Sequence, residues 1–352
     1  MDINSLLNSS YVAWMEADKG PESDIVISSR IRLARNLSRR PFPHLLDEAS
    51  GEEVLVAIKK AWQSSPKMDD FELLTLDELA FLDREILVEK HLISPEHANA
   101  NQSYKGVLLN GDGSVAIMIN EEDHLRIQCL LPGLQIQECY NEAILIDDFL
   151  EEHLDYAFDE KRGYLTSCPT NVGTGMRASV MLHLPALSIT GQTVQIFQNV
   201  GHLGMTVRGI YGENSEMLGN FFQLSNQVTL GQTEEDIISN LFSLVAQIVD
   251  EERLTRDKLL HERKDQLEDR IGRSYGILTN AKIVDSKEAF KLLSDVRLGV
   301  DMGIVNDINK FVLNQLVVAL RPAHLQRKTG QELDAINRDL IRAKVIKEKI
   351  IN

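Results

Sequence analysis

The hydrophobic period of this chain changes once, near Thr233, and that change limits the folds open to it. From there the stretch TEEDIISNLFSLVAQIVDEERLTRDKLLHERKDQLEDRI opens with a capping-box pair, Thr233 and Asp236. It then sets Ile237, Leu241, Leu244, Val245 and Ile248 on one stripe of a long helix. Further helical spacing covers 286–296, 307–320 up to Pro322, and 331–351. Before Thr233 the texture is mixed. DIVISSRIRLAR alternates, SVAIMIN (114–120) is an apolar run ahead of polar residues, and GMTVRGIYG (204–212) is a strand bounded by glycines. EVLVAIKKAWQ (53–63) and AILIDDFLEEHLDYAF (143–158) have helical spacing. Strands and helices without regular βαβ alternation give the class α+β. The expected organisation is an N-terminal segment 1–23, an α+β domain over 24–252 and an all-helical domain over 253–352.

A chain of 352 residues with 43% hydrophobic side chains can bury one large core or two moderate ones. Its three cysteines, Cys129, Cys139 and Cys168, are odd in number and lack C-x-x-C spacing, which suggests neither a disulfide framework nor a zinc site. A reduced, cytoplasmic setting is expected. MDINSLLNSS has no basic region followed by an apolar run, and no later segment offers about 18 uninterrupted apolar residues, so neither a signal peptide nor a membrane span is expected. A net charge of −16 disfavours a general nucleic-acid binder and favours cationic partners.

Four segments carry chemistry. SSRIRLARNLSRRP (28–41) holds Arg30, Arg32, Arg35, Arg39 and Arg40. On a strand, Arg30 and Arg32 leave one face while Ile31 and Leu33 pack on the other. Paired guanidinium forks suit a polyphosphate, and a solvated basic strand is the alternative. NEEDHLR (120–126) puts Glu121, Glu122 and Asp123 at a strand end, where three carboxylates need a cation, a metal or solvent. Arg126 lies beside them. SCPTNVGTGMRASV (167–180) is a loop whose glycines allow backbone N–H groups to approach an anion, with Cys168 before it and Arg177 after it. It is not a Walker loop, and a plain turn with a structural cysteine is the bland reading. VRGIYGENSE (207–216) sets Arg208 on a strand and Glu213 in a glycine-flanked loop able to close over a substrate, or else a surface hairpin.

In this order, S-x-R-x-R, N-E-E-D-H-x-R, C-P-T-N-x-G-T-G-x-R-A-S and V-R-G-x-x-G-E resemble the phosphagen kinase family, over about Asp24 to Glu252. The resemblance implies an antiparallel sheet flanked by helices and transfer of the γ-phosphoryl of ATP to a guanidinium nitrogen. Only 29 residues precede Arg30, and about a hundred follow Glu252. That layout resembles the bacterial protein-arginine kinase branch, whose substrates are proteins with exposed arginines and whose product marks them for a Clp-type protease. A kinase of free arginine or another small guanidine, and an inactive phosphoarginine-binding adaptor, are the alternatives.

The resemblance implies the following roles. Glu122 is the base, Glu213 grips the guanidinium from the other side, and Glu121 belongs to the same catalytic set. Cys168 aligns a guanidinium nitrogen as a thiolate without a covalent intermediate. Arg30, Arg32, Arg126, Arg177 and Arg208 clamp the ATP phosphates, and His91 is placed near the adenine with no motif to fix it. Mg²⁺ is expected on phosphate oxygens and water, without a protein metal cage. In RDLIRA (338–343), Arg338 and Arg342 share a helix face beside Asp339. A charged helix surface is the default; the family motif implies a phosphoarginine-binding regulatory site. A homodimer or larger assembly through the helical domain and an activator protein are further expectations.

Overall fold

Alternation along DIVISSRIRLAR produces one ten-residue strand, and the rest of the sheet is assembled around it. The structure, a computed structural model, describes residues 3–16, 20–209 and 218–351. Its first elements are α1 (Ile3–Asn8), β1 (Val26–Arg35), α2 (Glu48–Gln63), β2 (Glu72–Thr75), α3 (Phe81–Glu89) and α4 (Pro95–Ala98). Then come β3 (Gly106–Leu109), β4 (Val115–Ile119), β5 (Leu125–Pro132), α5 (Ile136–Glu151), β6 (Phe158–Asp159) and β7 (Gly163–Tyr164). β8 (Met176–His183), α6 (Pro185–Ile189), α7 (Thr193–His202), β9 (Met205–Arg208) and β10 (Phe221–Asn226) complete this part. The remainder is helical: α8 (Glu234–Glu262), α9 (Lys264–Asn280), α10 (Ser286–Asp301), α11 (Lys310–Ala319), α12 (Pro322–Thr329) and α13 (Ala335–Ile350).

Eight strands form one antiparallel sheet in the order β2-β3-β4-β5-β1-β8-β10-β9. β1 is central, so both of its faces are used. Ile31 and Leu33 point into a core shared with α5 and with the Ile237, Leu241, Val245 and Ile248 stripe of α8. On that same face Arg35 is fully buried, pairs with Asp147 of α5 at 2.6 Å and stacks over Tyr164. The other face is divided. Met118, Leu130 and Met181 pack with Trp14, Leu87 and, from the helical region, Phe290, Val317 and Ala323; the neighbouring stretch carries the arginines.

The capping box at Thr233 and Asp236 forms as the spacing predicts. The long helix, however, ends at Glu262, where Arg263 turns to φ −139° and α9 begins. The domain division placed near residue 252 therefore falls inside α8. Pro322 does more than stop a helix: it opens α12. α5 starts seven residues earlier than expected and stops at Glu151, because the following residues bridge Leu37 through Tyr156. Of the strand expected over 204–212, Met205–Arg208 is formed and residues 210–212 lie outside the described residues.

Two buried imidazoles tie down the rim of the sheet. Leu37 N–H donates to Nδ1 of His124 at 2.9 Å, so His124 must carry its proton on Nε2, which faces the Pro41 carbonyl. His97 Nε2 likewise meets the Gly106 carbonyl at 2.9 Å. Burial holds both pKa values down, to about 4 from 6.5. The unfolded chain therefore binds protons that the folded chain refuses, and stability is lost as pH falls from 6.5 towards 4. Each group contributes about 1.4 kcal/mol per pH unit within that window. Denaturant unfolding from pH 7 to 4.5 should show this slope, and His124→Gln should flatten it; a pH-independent midpoint would contradict the assignment.

Candidate active site

The register of the sheet brings the arginines to one face. Arg32 lies directly opposite Arg177 of β8 on one side and Gln128 of β5 on the other, while Arg126 pairs with Ala34 and Arg208 with Gln223. Like charges opposed across strands repel. Burial, followed by Arg126 and Arg177, pulls the Arg30 guanidinium down to about 10. Burial and the other three cations push Arg32 well below its ordinary value. Neutral amides and hydroxyls occupy the positions between them. Arg30 donates to Gln223 Oε1 at 2.9 Å and to Ser179 Oγ at 3.3 Å, and Arg177 donates to the Asn226 carbonyl. Among the described residues, the buried Nε of Arg32 meets no acceptor.

The turn from Asn120 to His124 places each of its side chains differently. Asn120, at φ +56°, donates to the carbonyls of Tyr104 and Gly51 and fixes the strand end. Glu121 takes Arg126 at 2.7 Å, the Ser94 hydroxyl at 2.6 Å and the Glu122 N–H. Burial alone would raise its pKa, but Arg126 and these hydrogen bonds outweigh burial and hold it at about 2. Asp123 is buried and accepts from Asn36 Nδ2 and Ser167 N–H, which ties the turn to the loop bearing Cys168. Glu122 is left facing the cavity, 42% exposed and 3.9 Å from Arg126. Partial burial raises its pKa, Arg126 opposes the rise, and Asp123 and Glu121 add to it. The three carboxylates thus diverge in their hydrogen bonds, while Arg126 lies near all of them and closest to Glu121.

Between these elements lies a cavity of about 650 Å³. Arg30, Arg32, Arg126, Arg177, Arg208, His91, Glu121, Glu122 and Cys168 all line it. Cys168 Sγ sits 3.0 Å from Thr170 Oγ1. The His91 ring is held neutral, its pKa pushed down to about 3 by burial, then by Arg30 and Arg321. Glu213 lies outside the described residues. Contrary to the expectation for the glycine loop, the N–H groups of Gly173 and Thr174 are turned inward to the carbonyls of Tyr164 and Thr229. A side chain at Gly173 would strike Thr229 O at 2.5 Å, so glycine serves close backbone packing there. Gln128, Gln223, Ser94 and Lys105 also line the cavity, and no motif of the sequence marks them. Gln128 alone had a signal: it stands two residues from Arg126, on the same strand face. Among the described residues no group of three or more His, Cys, Asp or Glu could hold a metal, and no helix is long and apolar enough to cross a membrane.

Away from the cavity, Arg342 is 2% exposed and ties α13 to the end of α11 and the start of α10. It donates to Leu320 O at 3.1 Å and Val284 O at 3.0 Å, and it pairs with Asp339. Arg338, half-buried, donates to Leu333 O at 3.0 Å. The two arginines are one turn apart but not equally accessible.

The fold has counterparts among solved kinase structures. The duplicated taurocyamine kinase of Schistosoma mansoni, solved with transition-state-analogue components, superposes with a TM-score of 0.61 at 25% identity, over 69% of this chain and 36% of that one. This chain therefore spans about a third of that duplicated protein. A lombricine kinase superposes at 0.59 with 24% identity, over 68% of this chain and 70% of its own, which speaks for the fold. The family model described as ATP:guanido phosphotransferase, C-terminal catalytic domain, matches residues 53–255, and that of the protein-arginine kinase McsB C-terminal domain matches 264–352. Protein-arginine kinases of Syntrophomonas wolfei and Halothermothrix orenii are 59% and 51% identical, each over 99% of this chain and over 98% and 99% of their own length. The chain belongs to the ATP:guanido phosphotransferase family, in its protein-arginine kinase branch.

Two outcomes follow from these packing facts. Arg32→Met removes an unpartnered buried donor and one of the crowded cations, so it should stabilise the nucleotide-free protein by on the order of 1–3 kcal/mol while weakening ATP turnover. Thermal unfolding with and without nucleotide checks this, and a destabilised free protein would refute it. Arg342→Ala deletes a buried cation that bonds two helix-end carbonyls, and it should lower the unfolding midpoint; an unchanged midpoint would show that those bonds contribute nothing.

Proposed function

We propose that this chain transfers the γ-phosphoryl group of ATP to the guanidinium of arginine residues in proteins. The observation that carries this is the convergence of five arginines and Glu122 on one cavity. Phosphoryl transfer needs positioning and charge stabilisation more than covalent chemistry from the protein. Arg30, Arg32, Arg126, Arg177 and Arg208 are assigned to the phosphates, and Mg²⁺ is taken to arrive on phosphate oxygens. Glu121 sets the position of Arg126. His91 is assigned to the nucleotide as a neutral ring, so that it adds no further cation beside Arg30.

A guanidinium, with a pKa of about 12.5 or more, must lose a proton before nitrogen can attack. Glu122 is assigned that proton. As the N–Pγ bond forms, the bond from Pγ to the bridging oxygen breaks and ADP leaves with that electron pair. The raised pKa of Glu122 brings its basicity closer to neutral pH than an ordinary carboxylate's. Cys168 and Glu213 are assigned to aligning the guanidinium, Cys168 from the loop that Asp123 holds in place.

The domain reading that accompanies this assigns catalysis to 24–252 and regulation to 253–352; the two family models, ending at 255 and beginning at 264, support it. Arg338, Asp339 and Arg342 are assigned to phosphoarginine, and a second copy is assigned to the helical part. The apolar Ile336 and Leu340, one turn apart and exposed on α13, support the latter. A cytoplasmic setting, an activator protein and delivery of the product to a Clp-type protease complete the reading.

Glu122→Gln should cut phosphorylation of a basic protein by about 10²- to 10⁴-fold with an unchanged unfolding midpoint. Acid-labile label transferred from γ-labelled ATP to protein, and not to free arginine, is the expected assay result. Near-normal turnover of the variant would remove Glu122 from the role, and label on free arginine alone would remove the protein substrate.

A further inference from the structure

The first turn of α12 has no cap of its own: Arg321, at its N-cap, makes no side-chain hydrogen bond to it. The cap comes from elsewhere in the chain. Glu89 Oε1 accepts the N–H of Ala323 at 2.7 Å, and Oε2 accepts the N–H of His324 at 3.0 Å and meets its Nδ1 at 2.6 Å. A buried carboxylate on two first-turn amides satisfies orphan donors and favours the helix dipole. A second tie between the same two helices joins Arg327 of α12 to Asp83 of α3.

Glu89 is also the last residue of α3, and the chain turns sharply after it. Leu92 N–H bonds Leu87 O at 2.9 Å and His91 N–H bonds Val88 O at 2.9 Å, a Schellman ending with His91 at the left-handed position, φ +64°. Glycine normally stands there because a side chain is strained in that conformation. Here an imidazole stands there and lines the cavity. Strain of this kind persists where the surroundings overdetermine it, and such places cluster at functional sites. The surroundings are visible. Trp14 Nε1 donates to Lys90 O at 3.2 Å, Gln128 Nε2 donates to His91 O at 2.7 Å, and the Trp14 ring meets the imidazole edge-on at 5.6 Å. Lys90 Nζ donates to the Leu6 carbonyl, and Glu89, the residue before it, is clamped on α12.

We propose that Glu89 is a positioning residue for nucleotide binding: by capping α12 it makes the C-terminal helical region part of the support that presents His91 to the cavity. The proposal rests on the assignment of His91 to the nucleotide. The amide of Glu89→Gln would set donor against donor at one of the three contacts, and the turn would lose its fixed end while the phosphate clamp stays in place.

The test uses the full-length chain. Glu89→Gln should raise the KM for ATP about tenfold and leave kcat within twofold, with Glu89→Asp partly restoring KM. In a Trp62→Phe background Trp14 is the sole tryptophan, and its emission should report a changed response to ADP in Glu89→Gln. His91→Ala should raise the KM for ATP on its own, and adding Glu89→Gln to it should then cost no more. An equal Glu89→Gln penalty with and without His91 would mean a general structural role and would overturn the proposal. So would an unchanged KM in Glu89→Gln when His91→Ala is impaired. An unchanged KM in His91→Ala would remove the nucleotide role of His91 and the proposal with it, while protein-arginine phosphorylation in that variant would leave the kinase reading standing.

Discussion

The interaction on which the rest depends is repulsion among guanidinium groups held on one face of the sheet. Arg32 stands opposite Arg177, and Arg30, Arg126 and Arg208 line the same cavity; Glu121 pairs with Arg126 at 2.7 Å and Glu122 lies 3.9 Å from the same guanidinium. Neutral partners such as Gln223 and Ser179 accept hydrogen bonds without cancelling charge. The face is therefore built for an anion with several oxygens, and the protein tolerates the strain because β1 is pinned from behind. Ile31 and Leu33 sit in the core, and Arg35 is neutralised by Asp147. One strand thus holds two kinds of arginine. Position relative to the pleat decides which becomes structural and which is left for a ligand.

A second constraint separates three neighbouring carboxylates. Left together, Glu121, Glu122 and Asp123 would raise one another's pKa values. Divergence gives each a different environment: Glu121 is held ionised against Arg126, Asp123 is buried on Asn36 and Ser167, and Glu122 is partly exposed with a raised pKa. The left-handed Asn120 and the His124 contact to Leu37 hold the turn in the shape that does this. A proton acceptor beside a clamp of cations would ordinarily be too acidic to accept. Two of the three carboxylates are committed to structure, and the third keeps a pKa raised by partial burial, as the base role proposed for it would require.

Legibility in the sequence followed charge and period. β1 and the start of α8 were readable because alternation and a Thr233–Asp236 capping box are local signals. The true start of α2 was not, because its capping box pairs Asp47 with Ser50 and not with an acidic residue. The first turns of α5 were hidden by Gln137, Glu138, Asn141 and Glu142, although Ile136, Cys139 and Ala143 form the buried stripe beneath them. In the cavity, arginines and carboxylates announce themselves, whereas Gln223 does not and Gln128 is marked only by its place two residues from Arg126, since an amide becomes informative only when its strand neighbours are known. The buried state of Arg342 was equally invisible: helical spacing gives the face but not what covers it.

Charge at two length scales bears on how such a site is filled. The chain as a whole carries −16, which draws basic polypeptides towards its surface and repels a nucleotide at long range. At physiological ionic strength that field decays over about 8 Å. Within the cavity, burial and the neighbouring guanidinium groups lower the pKa values of Arg30 and Arg32, so the local field is positive. Nucleotide capture must then rest on short-range contacts with the arginine face, while the arginine-bearing partner is gathered by the outer surface. On the roles proposed for these residues, the two reactants are attracted by opposite charges on the same molecule and would meet where the acidic turn at Glu122 borders the basic sheet.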